Sequence, residues 1–169
     1  MELFAVIDSR ATAARLAPPG PTPEHLSRML AAAARAPDHG RLKPWRFIVL
    51  DAPAREKFAD AVQGARRGRL PPPTEEQLRI ERDKVFRSPT LLIVGCAVDR
   101  DNPKVPEIEQ ILAVGAAVEN LVLAAHALGY GTMWKTGPAA YDAGVKAAVG
   151  LQASDHIAAI MHLGTAIPP

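Results

Sequence analysis

The segment Glu107–Leu128, EIEQILAVGAAVENLVLAAHAL, decides the fold of this chain. After its first turn it is a nearly continuous run of Ala, Val, Leu and Ile, which only Glu119, Asn120 and His126 interrupt with polar side chains. A helix that is apolar on most sides must be buried, in a core or at a contact between subunits. No stretch reaches the roughly 18 uncharged apolar residues of a membrane helix, so we predict a long buried central helix and no membrane partner.

Two environments would bury this helix. Its branched side chains cover more of its circumference than one sheet face would shield, and its alanines permit close approach of another helix. A homodimer through this segment is therefore predicted, with an obligate interface of about 2,000 Å² or more. The alternative is a helix at the centre of a monomer, enclosed by its own chain. The branched positions are Ile111, Leu112, Val114, Val118, Leu121, Val122 and Leu128.

The strands are predicted from short apolar segments that lie between helices. Thr90–Val98 is nearly continuously apolar, which is typical of a central strand covered on both faces, and Cys96 within it is predicted to be a small buried hydrophobe. Strands separated by helices indicate an α/β or α+β domain. The other predicted strands are Trp45–Leu50, Tyr130–Lys135 and Ile157–Gly164.

The starts of two helices are marked by capping residues. Thr22 precedes Pro23, a favoured first helical residue, and Thr74 has Gln77 three residues later, as in a capping box. The basic segment Gly64–Pro73, which lies before the helix that starts at Thr74, is predicted to be a loop. Besides Glu107–Leu128, the predicted helices are Glu2–Asp8, Pro23 to about Arg35, Pro53–Val62, Thr74 to about Phe86, and Tyr141–Val149.

The composition fits one domain that covers residues 1–169. The 20 Lys and Arg against 18 Asp and Glu give a formal charge of +2, which excludes a strongly basic nucleic-acid binder. The charge run Arg66, Arg67 and Arg69 has no aromatic platform beside it, so no nucleic-acid partner is predicted. One cysteine cannot form an internal disulfide, and Glu2 precedes any long apolar run, so we expect no signal peptide and a reducing, cytoplasmic location.

Motifs of the common enzyme classes do not occur in the sequence. It contains no G-x-G-x-x-G, no G-x-x-x-x-G-K-[ST], no H-E-x-x-H and no nucleophile elbow, and its five histidines show no close ligand spacing. We therefore predict no metal site and no obligatory side-chain acid, base or nucleophile.

Cations instead follow several predicted elements. Arg10 and Arg35 each end a helix, and Lys135 ends a strand. A phosphate ligand needs this chemistry: Arg for charge-assisted bonds, and hydroxyls and bare N–H groups for the remaining oxygens. Each cation alone is more often a solvated surface base, and the sequence leaves open whether the groups converge. The neighbouring hydroxyl, imidazole and glycine groups are those of Thr12, His39, Thr136 and Gly137.

Four segments together resemble the nitroreductase family. Residues 9–15 (SRATAAR) and 34–47 (ARAPDHGRLKPWRF) look like its opening, and the Ala-Pro-Asp-His and Pro-Trp pieces resemble its short single-domain NAD(P)H nitroreductase subgroup. Residues 115–121 (GAAVENL) and 129–137 (GYGTMWKTG) are similar to its second signature. The resemblance covers essentially the whole chain in order. It implies an α+β fold with a mixed central β-sheet flanked by helices, in a homodimer that binds FMN between its subunits.

The resemblance also implies which residues bind the cofactors. Arg10, Ala11 and Thr12 match the family's first FMN-binding stretch, with Arg10 as the phosphate partner. The next flavin contacts correspond to Arg35 and His39, and the third group to Trp134, Lys135 and Thr136. The segment that the family assigns to the nicotinamide nucleotide corresponds to Ala124, Ala125, His126, Ala127, Leu128 and Gly129.

The implied activity is that of an FMN-dependent NAD(P)H oxidoreductase. Hydride passes from NAD(P)H through flavin N5 to a nitroaromatic, quinone or similar small-molecule acceptor, so the cofactor carries the chemistry. The alternative is an FMN-binding or regulatory module without turnover. Two departures from the family pattern favour it: Arg10-Ala11-Thr12 stands where Arg-Arg-Ser is frequent, and the sequence stops at Pro168-Pro169, soon after the last predicted strand.

Overall fold

The computed structural model describes residues 2–168, and a five-stranded sheet lies at its centre. The strands are β1 (Arg15–Ala17), β2 (Trp45–Val49), β3 (Thr90–Cys96), β4 (Gly131–Lys135) and β5 (His156–Ile167). The helices are α1 (Leu3–Ser9), α2 (Pro23–Ala33), α3 (Ala52–Arg67), α4 (Glu75–Val85), α5 (Glu107–Ala127) and α6 (Ala143–Ala148). Two 3₁₀ turns, His39–Arg41 and Pro138–Tyr141, complete the described elements.

The longest strand, β5, organises the sheet. It pairs with β1, β3 and β4, and β3 also pairs with β2. All of these pairings between named strands are antiparallel, which confirms the α+β class but shows that the predicted mixed sheet is wrong. The only parallel pairing in the described residues is an isolated bridge between Thr12 and Thr132. The continuous apolar character of β3 arises because helices cover both faces of an antiparallel sheet.

Side-chain alternation along β3 divides the core into two layers. Leu92 and Val94 pack on the face that α2 and α5 cover, whereas Leu91 and Ile93 pack on the face that α3 and α6 cover. All four side chains are fully buried, and Cys96 continues the first layer. The predicted strand and the predicted burial of Cys96 are therefore confirmed.

The central helix α5 is held in place by its own chain. Val114, Val118 and Leu121 are fully buried against the sheet and α2. Near the start of α5 the Gln110 amide accepts a bond from the Asp99 N–H at 2.9 Å and donates one to the Asp99 carbonyl at 2.8 Å. By length and composition alone, α5 is long and apolar enough to cross a membrane. This differs from our expectation, which required a run of about 18 uncharged apolar residues. The buried core helix of a globular domain meets the same criterion of length and composition.

Helices α3 and α4 form a hairpin over the second layer of the core. The Thr74–Gln77 capping box is present, with bonds of 3.2 and 3.1 Å. The predicted loop Gly64–Pro73 is wrong in its first part, since α3 continues to Arg67. The helix continues through Gly64, which faces open space, because Ala65 after it packs against the core. This extension brings the end of α3 towards the end of β4.

Candidate functional site

Strand β4 separates two cavities, because its side chains point alternately to opposite sides. Thr132 and Trp134 line a smaller cavity of about 240 Å³ on the side of α5. Lys135 lines a larger cavity of about 510 Å³ between β4, α3 and α4. The larger volume falls in the range of small-molecule sites.

The smaller cavity brings the segment after α1 together with residues of α5 and β4. Arg10 and Thr12 lie beside Trp134, together with Glu119, Val122 and Thr132. The N–H of Ala13 donates to the Thr132 carbonyl at 2.9 Å, which fixes the segment after α1 against β4. The Trp134 indole N–H donates to the Ala158 carbonyl at 2.9 Å and so holds the ring at the cavity edge. This geometry presents a guanidinium and a hydroxyl to one small space.

The larger cavity has apolar walls and cationic edges. Phe58, Val62 and Ile160 belong to the second core layer and form part of its wall. Its only carboxylate among the described residues is that of Glu81, which pairs with Lys84 at 2.6 Å. The basic side chains that line it are Arg66, Arg69, Lys84, Arg87 and Lys135.

His162 lies in the larger cavity and is only 3% exposed. Its Nδ1 is 2.9 Å from the Ser88 hydroxyl, which also donates to the Thr90 carbonyl at 2.9 Å. Because that hydroxyl has one hydrogen, Nδ1 must be the donor to Ser88, which leaves Nε2 as an acceptor. Burial, and then the charges of Arg87, Arg55 and Lys135, lower the pKa of His162 to about 4. The ring is therefore neutral at pH 7.

Arg55 fixes the loop that carries Ser88 and Arg87. Its guanidinium donates to the carbonyls of Val85 at 2.8 Å and Ser88 at 2.6 Å. The Arg87 side chain in turn donates to the Lys84 carbonyl at 3.0 Å. These bonds give the cationic edge of the larger cavity a defined position.

The predicted FMN-binding residues fall into three groups in the structure. Arg10, Thr12 and Trp134 line the smaller cavity, and Lys135 and Thr136 line the larger one, on the other side of β4. Exposed Ala11 lies between Arg10 and Thr12 and lines neither cavity.

Arg35 and His39 lie elsewhere, and both are exposed. His39 contacts the carboxylate of Glu109 near the start of α5. Glu119, which lines the smaller cavity, lies ten residues further along α5, a distance of about 15 Å along the helix axis. One chain therefore does not bring His39 to the cavity that contains Arg10.

The predicted nicotinamide segment, residues 124–129, forms the end of α5 and the turn after it. Ala125 is fully buried, and its carbonyl accepts the N–H of Tyr130 at 2.9 Å. His126 Nε2 lies 2.9 Å from the Ser9 hydroxyl, which joins α5 to α1. Ala124, Ala127, Leu128 and Gly129 complete the segment, and none of its residues lines either cavity.

Several site residues were missed in the sequence. Arg66 and Arg69 are predicted to lie in a solvated loop, but both line the larger cavity, three residues apart. Arg66 is in the last turn of α3, and Arg69 follows the helix in a turn in which its N–H donates to the Arg66 carbonyl at 3.2 Å. Lys84 and Arg87 repeat this spacing, and the alternation of β5 places His162 on the same face as Ile160. These spacings are visible in the sequence. The sequence does not show that α3 extends to Arg67, and this extension is what brings Arg66 and Arg69 to the cavity. Cys96 takes no part, because burial raises the pKa of its thiol to about 11.

Comparison with known proteins supplies a further observation. Residues 7–165 match the model of the Nitroreductase family. The chain is 34% identical over 166 residues to “Putative NAD(P)H nitroreductase YdjA” of Escherichia coli (strain K12), covering 98% of this chain and 88% of that protein. It is 31% identical over 169 residues to “Putative NAD(P)H nitroreductase” of Haemophilus influenzae, covering 98% of this chain and 89% of that protein.

Solved structures agree on the fold. A nitroreductase-like family protein from Bacillus cereus superposes with a TM-score of 0.82 at 24% identity, over 99% of this chain and 87% of the other. A nitroreductase from Bacteroides fragilis, solved with bound FMN, gives a TM-score of 0.75 at 22% identity, over 99% and 89% of the two chains.

Proposed function

Because the chain belongs to the nitroreductase family, we propose that it is an FMN-dependent NAD(P)H oxidoreductase that acts on a small-molecule acceptor. Bound FMN would accept hydride from NAD(P)H at N5 and pass electrons to a nitroaromatic, quinone or similar acceptor. The observation that carries the proposal is the convergence of Arg10, Thr12 and Trp134 at one cavity. The proposal treats residues 1–169 as one FMN-binding domain in a reducing, cytoplasmic location.

Arg10 and Thr12 are the groups we assign to the FMN phosphate. Arg10 is half-buried at the end of α1, and its guanidinium forms no ion pair with any carboxylate of residues 2–168. Its donors are therefore available for charge-assisted bonds to phosphate oxygens, and the Thr12 hydroxyl adds a donor beside it. The exposed carboxylate of Glu119 lines the same cavity and reduces its positive potential.

Trp134, Lys135 and Thr136 are the residues we assign to the flavin ring. They lie at the end of the edge strand β4, where the chain passes from one cavity to the other. The backbone of Gly137 has a φ of +70°, a left-handed conformation that favours glycine, and it turns the chain away after Thr136. The positive charge of Lys135 at this position would favour negative charge on a neighbouring ring.

A second copy of the chain is the proposed source of Arg35 and His39. Within one chain both are exposed and neither lines the cavity of Arg10, as a site shared between subunits requires. Two exposed apolar side chains, Ile108 at 60% and Leu112 at 64%, lie one turn apart on α5 near His39. Such residues are candidates for an interface.

The interface cannot use α5 in the manner predicted from the sequence. Of the seven branched positions, Val114, Val118, Leu121 and Val122 are buried within their own chain, as the monomeric alternative required. Only Leu112 is exposed, while Ile111 and Leu128 are half-buried. On α1, Phe4 is 77% exposed and offers a further apolar contact near the other end of α5. The homodimer remains part of the proposal, with Leu112 rather than Val114 at its surface.

The role of residues 124–129 in nicotinamide binding stays a prediction. Their position at the end of α5 gives them no face on either cavity. Nicotinamide that stacks on the flavin itself would not need them.

Titration with FMN, followed by anaerobic addition of NADH or NADPH, tests the proposal. We expect the protein to bind FMN and the flavin absorption to bleach with at least one nucleotide. Failure to bind FMN in calorimetry would remove the flavin assignment. Binding without bleaching would favour the alternative, an FMN-binding module without turnover.

A further inference from the structure

The larger cavity carries an excess of positive charge, of which the cofactor assignment uses only that of Lys135. In the described part of the chain, five basic side chains line it against the single carboxylate of Glu81. Within residues 2–168, no carboxylate lies within ion-pair distance of Arg66, Arg69, Arg87 or Lys135. Arg66, Arg69 and Arg87 are half-buried, whereas Lys135 is exposed. Charges that are partly removed from water without a partner are costly, so the three arginines indicate an anion that is supplied from outside the chain.

The orientation of Arg66 and Arg69 supports this interpretation. Basic residues at the end of α3 interact favourably with the helix dipole, which gives Arg66 and Arg67 one structural reason to be there. The dipole does not explain their different surroundings. Arg67 is exposed, whereas Arg66 and Arg69 are half-buried and line the cavity.

The other residues that line the cavity indicate which chemical groups the rest of the ligand carries. Phe58, Val62 and Ile160 provide an apolar wall. His162 is neutral there and presents an Nε2 acceptor that has no hydrogen-bond partner among the described residues. An apolar wall opposite cations fits a flat, apolar molecule with an anionic group at its edge.

We propose that Arg66 and Arg69 bind a reactant that carries a carboxylate or phosphate, so that this enzyme prefers anionic reactants. The inference rests on the proposed function, because Lys135 and Thr136 join this cavity to the proposed flavin position. Two reactants have the required chemistry: an aromatic acceptor with a carboxylate, and a nicotinamide donor with the additional phosphate of NADPH.

Calorimetry with matched ligands tests the anion site without turnover. The ligands are 4-nitrobenzoate and 4-nitrobenzamide, which differ in charge but little in size, and then NADPH and NADH. The variant is Arg66→Gln/Arg69→Gln, and the control is Arg67→Gln on the same helix. We expect the wild type to bind the anionic member of at least one pair on the order of tenfold more tightly. The double variant should lose this preference, and the control should keep it.

The reactant is identified by the ligand pair between which the double variant loses its selectivity. Loss of selectivity between the nitro compounds assigns the site to the acceptor, and loss between the nucleotides assigns it to the donor. Equal binding within both pairs by the wild type, or selectivity that survives in the double variant with native circular dichroism, would overturn the proposal.

A cofactor control separates this inference from the proposed function. If the double variant binds FMN more weakly but riboflavin normally, its arginines hold the cofactor phosphate and the proposal is overturned. If the protein binds no flavin but still separates the nitro compounds through Arg66 and Arg69, the anion site stands and the proposed activity fails.

Discussion

The ring of His162 donates from Nδ1 to the Ser88 hydroxyl across 2.9 Å, in a cavity whose edges are basic. This bond fixes the neutral tautomer, and the surrounding cations oppose protonation of Nε2. A neutral imidazole therefore lies inside an apolar-walled cavity, and the positive charges are confined to the cavity edges.

Protonation of His162 should destabilise the fold in acid. Its pKa falls from 6.5 to about 4 on folding, so between these values the unfolded chain binds the proton and the folded chain does not. Stability therefore falls as the pH decreases from 6.5 towards 4, by roughly 2 kcal/mol at pH 5 for this residue. Urea unfolding at pH 7 and pH 5 measures the loss.

The matched variant for this measurement is His162→Gln, which has no titrating group. We expect its stability to decrease less between pH 7 and pH 5 than that of the wild type. The same decrease in both proteins would show that other groups cause the acid sensitivity.

Arg10→Ala should weaken the binding of FMN far more than that of riboflavin, which lacks the phosphate. A charge-assisted bond contributes on the order of 1.5–3 kcal/mol, so we expect roughly a ten- to hundredfold loss for FMN. Fluorescence titration with both flavins measures it, and Arg15→Ala, at an exposed arginine of β1, is the control. Equal losses for the two flavins would remove Arg10 from the phosphate site.

Glu119→Gln should have the opposite effect. The carboxylate lines the cavity of Arg10, so its removal takes away a repulsive charge from a bound phosphate. Because Glu119 is exposed, we expect only a few-fold tighter FMN binding, an effect that high salt reduces. Unchanged FMN affinity at low salt would place the phosphate away from this cavity.

Leu112→Glu should separate subunits without unfolding them. Leu112 is exposed on α5, so a charge there costs the monomer little, whereas a charge at fully buried Val114 would disrupt the core. We expect Leu112→Glu to dissociate at higher concentrations than the wild type and to bind FMN more weakly. Ile80→Glu, at an exposed position on α4, is the control. An unchanged dimer affinity for Leu112→Glu would place the interface elsewhere.

The sequence predicted the elements that depend on local signals. The apolar run of α5, the capping box of Thr74 and Gln77, and the doubly buried β3 each depend on residues close together in the chain. Strand β1 was not predicted, because Arg15–Ala17 is too short for a pattern and exists through its pairing with β5. The direction of strand pairing also depends on distant segments, which explains the wrong expectation of a mixed sheet.

The site was predicted unevenly for the same reason. Arg10 is a candidate from its position after a helix as well as from the family resemblance, whereas Trp134 comes from the resemblance alone. Their convergence depends on the contact between Ala13 and Thr132, which no local pattern encodes. The basic residues of the larger cavity were misassigned because one helix boundary was placed too early. With α3 ending at Val62, both arginines fall in a loop of undefined geometry. With α3 continuing to Arg67, Arg66 is in its last turn and Arg69 is in the turn that follows, which a bond from the Arg69 N–H to the Arg66 carbonyl closes.

Sedimentation velocity recorded at the absorption of flavin shows whether bound flavin is carried by one chain or by two. We mix the protein with FMN and follow the flavin rather than the polypeptide. We expect flavin to sediment with a species of twice the chain mass, as a site with Arg10 of one chain and Arg35 of another requires. Flavin that does not sediment with the protein would contradict FMN binding, and flavin on a stable monomer would contradict the shared site.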